Sequence, residues 1–310
     1  MCLRSAYIAL GYACNHGCIF CPCGTDRPRN MALTIDEFEQ SIGSIIACGA
    51  HGVIISGGEP TLQPLFFDYL KKLSSSNLHV ELLSNADTLS DSRLVSKILS
   101  IINATQLSIT SSIHSHKPEI HDNITRSPGS WSRSIQGLQN AQSQGLKVTV
   151  KHCIAKQNYQ DMSSFVDFIY STFPDNVGLL FCSIDYCGLS SEAAAAVAVD
   201  FKNEGKYIEQ ALDRVIYYRD VERRARNVMV TDTPLCCVDP YYWSFFPVFL
   251  STKFLHMLHR RTMRRTKQTC KFLVIVARFL KFASVVTQKN FAPGRGVPLT
   301  NYLVKRRLNQ

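Results

Sequence analysis

Acidic residues are missing from the end of this chain: after Asp239 there is no Asp or Glu, while the remaining 71 residues hold 14 Lys plus Arg. The first 239 residues carry 20 Lys plus Arg against 24 Asp plus Glu, so the net charge of +10 over 310 residues comes from the end alone. Such a break separates an ordinary, slightly acidic domain from a basic, aromatic-rich tail. Long apolar runs are missing too. The longest late candidate, 272–286, is interrupted by Arg278 and Lys281, and no membrane span is expected. At the N-terminus only 6–10 is apolar before cysteines begin, too short for the core of a signal peptide. Charged residues amount to only 19%, yet hydrophobic ones reach 45%, which excludes disorder of the whole chain. No fixed-period repeat is present. With no secretory signal, the 12 Cys do not read as a disulfide framework. They read as buried small side chains or metal ligands of a cytoplasmic protein.

Short β-branched runs alternate with helical patterns from the start. Strands are expected at 6–13, 52–56, 79–84, 106–114, 147–154 and 177–184, with helices at 35–49, 64–74, 90–102, 130–144 and 161–173. Thr34-Ile35-Asp36-Glu37 is a capping-box pattern that opens the first helix. Six strands in about 190 residues, alternating with helices, imply parallel pairing through crossover helices. The expected fold is α/β, a partial (β/α)6 barrel of the TIM type with a C-terminal extension; a doubly wound sheet is the structural alternative. Residues 1–190 are read as the core barrel, 191–239 as its helical and strand completion, and 240–310 as the extension.

Cys14-Asn15-His16-Gly17-Cys18-Ile19-Phe20-Cys21 places three thiols within eight residues, after the first strand. Structural zinc sites usually pair two knuckles, and no second knuckle of matching spacing follows. Three cysteines this close can instead reach three corners of one iron–sulfur cube, leaving the fourth iron open to a substrate or cofactor. A second motif, Ser56-Gly57-Gly58-Glu59-Pro60-Thr61, closes the second expected strand. As a phosphate loop it fails, for want of a third glycine or a Lys-Ser/Thr.

The C-x3-C-x2-C spacing, with aromatic Phe20 before the last Cys and Gly57-Gly58-Glu59-Pro60 at the next strand end, resembles the radical S-adenosylmethionine (radical SAM) superfamily. The resemblance covers about residues 5 to 190. It implies a [4Fe–4S] cluster on Cys14, Cys18 and Cys21, with S-adenosylmethionine (SAM) chelating the open iron through its amino and carboxylate groups. It implies that Phe20, Gly57, Gly58, Glu59 and Pro60 form part of the SAM seat, the glycines allowing close backbone approach and Glu59 meeting the amino group. Further matches at later strand ends imply SAM contacts for Ser84, Asn85, Ser112 and Arg126. Relatives usually carry Gly where this chain has Ala86. The implied activity is reductive cleavage of SAM to a 5′-deoxyadenosyl radical that takes hydrogen from a substrate, with electrons from a flavodoxin- or ferredoxin-like donor. The catalytic residues and the reaction subclass stay open. A peptide or protein substrate is expected from overall resemblance to radical SAM maturases. The alternatives are RNA modification, suggested by the basic tail, and a non-catalytic iron–sulfur or RNA-binding protein.

Other residues read as structural. His114, His116 and His121 follow no standard ligand spacing, Asn158 is a turn residue, and Cys23, Cys48, Cys153, Cys182 and Cys187 are too irregularly placed for a second cluster. Cys236, Cys237 and Cys270 have the look of an auxiliary cluster, but too few ligands accompany them. Arg260, Arg261, Arg264 and Arg265 would form one cationic helix face suited to nucleic-acid phosphate. A solvated or degenerate tail is the alternative. Tyr241, Tyr242, Trp243, Phe245 and Phe246 are expected to cover apolar barrel surface.

Overall fold

The computed structural model describes residues 5–23, 30–186 and 189–247, with the backbone of 256–257. Strand and helix alternate as β1 (Ser5–Ala9), α1 (Ile35–Ala47), β2 (Gly52–Ser56), α2 (Phe66–Ser74), β3 (His79–Leu83), α3 (Ser92–Leu99) and β4 (Leu107–Ser112). Two helices then follow in succession, α4 (Pro118–Thr125) and α5 (Ser130–Ser143). Next come β5 (Lys147–Ile154), α6 (Met162–Thr172), β6 (Gly178–Ser183), α7 (Ser191–Val197), α8 (Phe201–Asp220) and β7 (Val228–Thr231). The sheet order is β7-β6-β5-β4-β3-β2-β1, with the two-residue β8 (His256–Met257) beside β1, and every pair is parallel.

The sheet is α/β and curls into a half-barrel. Tyr7 on β1 senses the charge of Lys151 on β5 although three strands lie between them in the sheet, which places both on the concave face. The convex face carries the core. On β5 the residues alternate, with Val148, Val150 and Ile154 buried under the helices and His152 packed on Phe165 of α6. Similar inward-to-helix positions on β2, β3 and β6 hold Val53, Ile55, Val80, Leu82, Leu179 and Phe181. Burying several such side chains, at about 1.5 to 3 kcal/mol each, is what holds helices and sheet together. The capping box forms as its pattern requires: Glu37 N–H donates to Thr34 Oγ1 at 3.2 Å and Thr34 N–H to Glu37 Oε2 at 2.9 Å.

Two differences from the sequence expectations, at the end of β1 and at α4, position the site. β1 stops at Ala9 rather than 13, because Gly11 bridges Ala32 and the next residues pass beneath the Gly57–Gly58 turn, Gly58 N–H donating to Gly11 O at 2.8 Å. α4 was expected as loop. Its eight residues are mostly polar, and only Pro118 at its start and the buried Ile124 mark it. Beyond residue 190, α8 packs on α6, with Tyr170 and Tyr218 stacked at 3.9 Å, and β7 extends the sheet. Its start is capped by Asp200, which accepts from Lys202 N–H at 3.0 Å.

The aromatic run lies in a short 3-10 segment, Pro240–Phe245. Phe246 is buried, Tyr242 and Phe245 pack against the core, and Trp243 Nε1 donates to Val238 O at 3.1 Å, while Tyr241 is exposed. Cys187, Cys270, Arg260, Arg261, Arg264 and Arg265 lie outside the described residues. Among the described residues no helix is long and apolar enough to cross a membrane.

Glu204, on α8, is buried between strands and helix with the Ser183 and Thr233 hydroxyls as partners. Burial pushes its carboxyl up from 4.5 to about 7, and the two hydroxyls only partly oppose this. The folded chain therefore keeps this proton over a pH range in which the unfolded chain releases it. The stabilisation is fully present below 4.5 and is lost as pH rises through 7, a loss of about 3 kcal/mol. Glu204→Gln should remove that decline. Urea unfolding on either side of this window checks it, and equal declines in wild type and variant would refute the assignment.

Candidate active site

The loop after β1 carries Cys14, Cys18 and Cys21, and its backbone is held from two sides. Gly17 N–H donates to Thr125 O at 2.9 Å and Ile19 N–H to Ile124 O at 3.0 Å, which fastens the loop to the last turn of α4. Glu59 N–H donates to Ala13 O at 2.7 Å, which fastens it to the end of β2. The three thiols sense one another. Burial pushes Cys18 up to about 12, and Cys21 and then Cys14 add to the shift, so three thiolates here would require a bound cation. Among the described residues no three His, Cys, Asp or Glu close around a single ion. That donor set, three crowded thiols that do not converge on one point, suits the separated corners of an iron–sulfur cube and not a zinc ion. Phe20 is buried beside them with its ring edge on His114, centroids 5.0 Å apart.

The Gly57–Gly58 turn lies directly against this loop. Gly57 has φ +136°, and a Cβ there would stand 2.2 Å from Gly11 O. At Gly58 a Cβ would stand 2.3 Å from Ala13 O and 2.6 Å from Tyr12 O. The next residue, Glu59, is fully buried. Its Oε1 accepts from Thr61 N at 3.1 Å, Thr61 Oγ1 at 2.6 Å and Ser84 Oγ at 2.8 Å, and its Oε2 from Asn85 N at 2.8 Å. Burial raises the carboxyl pKa in spite of those four donors. A carboxylate has about four acceptor sites, and these four donors meet that number. Gln63 closes the turn from behind, its Nε2 donating to Ala13 O at 3.0 Å and Glu59 O at 2.9 Å.

Asn85 joins the two motifs. Its Nδ2 donates to Asn15 Oδ1 at 2.7 Å and lies 4.0 Å from Cys14 Sγ. Ala86, also buried, takes φ 60°, a left-handed conformation that costs a residue with a Cβ about 1 kcal/mol. The turn returns Asp87 to the same loop. Its Oδ2 accepts from Asn15 Nδ2 at 2.7 Å and pairs with His16 Nε2 at 3.2 Å, while Arg133 of α5 bonds the other oxygen. Although burial opposes it, bonding to His16 and Arg133 lowers the Asp87 pKa and keeps the carboxylate charged.

The structure thus brings Cys14, Glu59, Ser84 and Asn85 into one hydrogen-bonded network beside Gly57, Gly58 and Pro60. Arg126 stands on the other side of the loop, left-handed at φ 50°, where a Cβ on Gly17 would lie 3.6 Å from Arg126 Cβ. Ser112 ends β4, paired with Lys151 of β5, and among the described residues no side-chain hydrogen bond links it to the network. His121 Nδ1 accepts from His114 N–H at 3.1 Å, a backbone-supporting contact; burial holds His121 down to about 4 and keeps it neutral. Asn158 Nδ2 donates to His114 O at 2.8 Å and Cys153 O at 2.9 Å, tying two strand ends together. Cys236 and Cys237 have sulfurs 3.9 Å apart, with no third ligand gathered among the described residues.

Asn15, His16, Gln63, Asp87 and Arg133 were absent from the sequence expectations. Asn15 and His16 lie between the clustered cysteines and could have been nominated by position. Nothing local marks Asp87 or Arg133, which meet only because α5 packs against the turn that follows β3.

Residues 8–169 match the sequence profile of the Radical SAM superfamily. The chain is 28% identical over 151 residues to the AdoMet-dependent heme synthase of Methanosarcina barkeri, covering 48% of this chain and 42% of that one. It is 25% identical over 193 residues to the probable GTP 3′,8-cyclase of Sulfolobus acidocaldarius, covering 62% and 59%. It thus spans about half the length of the curated relatives it matches. Among solved structures it is similar to Streptococcus suis SuiB bound to precursor peptide SuiA, with TM-score 0.59 and 17% identity over 74% of this chain and 49% of that one, which shows the fold.

Proposed function

This chain belongs to the radical SAM superfamily, whose cofactors are a [4Fe–4S] cluster and SAM, and from that premise we propose that it is a SAM-cleaving enzyme acting on a peptide or protein. The observation that carries the reading is the network running from Cys14 through Asn85 to Glu59, since it ties the thiol loop to the neighbouring strand ends in one rigid seat. Cys14, Cys18 and Cys21 would hold the cluster, and Phe20, Gly57, Gly58, Glu59, Pro60, Ser84, Asn85, Ser112 and Arg126 the SAM. When bound, the pair supplies a 5′-deoxyadenosyl radical that takes hydrogen from the substrate.

This chain's residues supply position and exclusion of water. Glu59 holds Thr61, Ser84 and Asn85 in place, and with them the strand end beside the thiol loop. Asp87 holds Asn15 and His16, and with them the spacing of Cys14 and Cys18. Phe20 and Ile124 form part of a small apolar cluster that keeps water from the rear of the loop. The peptide reading is supported by the likeness to SuiB in complex with its precursor peptide; the names of the curated relatives show that this core also serves a heme synthase and a GTP cyclase. A low-potential donor of the flavodoxin or ferredoxin kind would deliver the electron. No disulfide joins any of the nine described cysteines, and a reducing, cytoplasmic setting is the one proposed.

The test is to reconstitute the full chain without oxygen, add SAM and dithionite, and follow 5′-deoxyadenosine. Steady formation is expected. A fully loaded cluster with neither SAM binding nor 5′-deoxyadenosine would leave the non-catalytic alternative standing.

A further inference from the structure

The seat just described uses the ends of β1 to β4. The concave face of β5 to β7 carries a second polar group that it does not use. Because Val148, Val150 and Ile154 face the helices, Thr149, Lys151 and Cys153 of β5 face the lumen. Cys153 is paired directly with Cys182 of β6, whose Sγ donates to Asp232 Oδ2 at 3.2 Å, just past β7. Lys151 lies within electrostatic reach of both Cys153 and Cys182. Across the lumen stands Tyr7, bonded to Ser56 and within electrostatic reach of Lys151. Cys153 is in turn within reach of Cys18, so this group adjoins the thiol loop.

An ammonium has three donors. No carboxylate among the described residues lies within the 4.0 Å ion-pair distance of Lys151, Asp232 included. Cys153 foremost, then Cys182 and Asp232, keep it protonated against the effect of burial. Asp232 acts on it only from beyond ion-pair distance, so the contact positions of the ammonium are open to an anionic ligand. Lys151 is on the concave side of the sheet, which also carries Tyr7.

We propose that Lys151 is a substrate subsite for an anionic group, and that the group is the carboxylate of a Glu or Asp side chain in a peptide. The proposal rests on the peptide reading above and deepens it. Asp232, beyond Cys182, repels the same carboxylate from the β7 side and so confines it to the Lys151 end of the lumen.

The experiment uses the anaerobically reconstituted full chain, as wild type, Lys151→Met and Lys151→Arg. The probes are a labelled, end-blocked peptide with one central Glu, its Gln counterpart, and inorganic phosphate as competitor. Wild type should prefer the Glu peptide by about tenfold or more, the worth of one charge-assisted hydrogen bond. Lys151→Met should lose that preference while iron content and SAM affinity stay at wild-type values, and Lys151→Arg should restore much of it. Equal binding of the two peptides, or binding of neither, overturns the proposal. So does weakened SAM binding in Lys151→Met, which would assign the ammonium to the SAM carboxylate. Phosphate displacing a tracer without any Glu preference would make the site one for free phosphate and overturn the peptide carboxylate. Failure of the wild type to load iron or bind SAM would instead count against the proposed function, and peptide binding could still be read.

Discussion

Anaerobic reconstitution of Cys14→Ser, Cys18→Ser or Cys21→Ser should leave the chain almost without iron, where wild type takes up about four iron and four sulfide. The effect is expected to be all-or-none because, in the proposed assignment, the three thiols are the protein's ligands to three corners of the cluster. Among the described residues no group of three His, Cys, Asp or Glu elsewhere is gathered to take the metal instead. His16, between two of these cysteines, is already paired with Asp87. Cys153 is near enough to influence Cys18 but sits on a strand, where pairing with Cys182 of β6 keeps it from moving onto the loop. Iron and sulfide assays with the visible absorption of the cluster are the measurement. Retention of the wild-type spectrum in any one variant would remove that cysteine from the ligand set, and stoichiometric zinc in the wild type would remove the cluster.

Gly58→Ala should be nearly as damaging for a different reason. The added methyl carbon would stand 2.3 Å from Ala13 O and 2.6 Å from Tyr12 O, and both are backbone atoms of the thiol loop. Flexible side chains yield to such a contact at small expense; a loop fastened to α4 and β2 does not. Either the turn or the loop must shift, and the expected destabilisation is about 3 kcal/mol, the upper end for overpacking. Iron uptake should fall together with SAM affinity, because the shifted backbone carries both. Gly43→Ala is the control: it lies in α1 with nothing within 4 Å of the added carbon, and a helix interior favours Ala by about 1 kcal/mol. Thermal unfolding with iron analysis compares the two, and a Gly58→Ala chain as stable and as fully loaded as wild type would show that the loop yields.

That contact also marks where local reading stops. The sequence reading assigned the glycines to close approach by SAM. In the structure their lack of Cβ is already required by the chain's own backbone at Gly11, Tyr12 and Ala13. A similar limit applies to Glu59. Its place after two glycines at a strand end made it legible as a site residue, but its bonds to Ser84 and Asn85 cross 25 and 26 residues. No pattern in the sequence carries such a pairing.

What the amino-acid order determined by itself is periodic or compact. The alternation of β-branched runs with helical stripes is a local property of side chains, and it was enough for strand order, parallel pairing and an α/β half-barrel. The cysteine spacing was legible because three ligands within eight residues meet whatever the rest of the chain does. The Asn15–His16–Asp87–Arg133 network and the Lys151–Cys182–Asp232 group were decided only by tertiary structure. Their members are spread over as many as 118 and 81 residues of chain, from Asn15 to Arg133 and from Lys151 to Asp232. Each is an ordinary polar residue until the curl of the sheet takes it out of bulk water, and its charge must then be met by a neighbour from another strand or by a ligand.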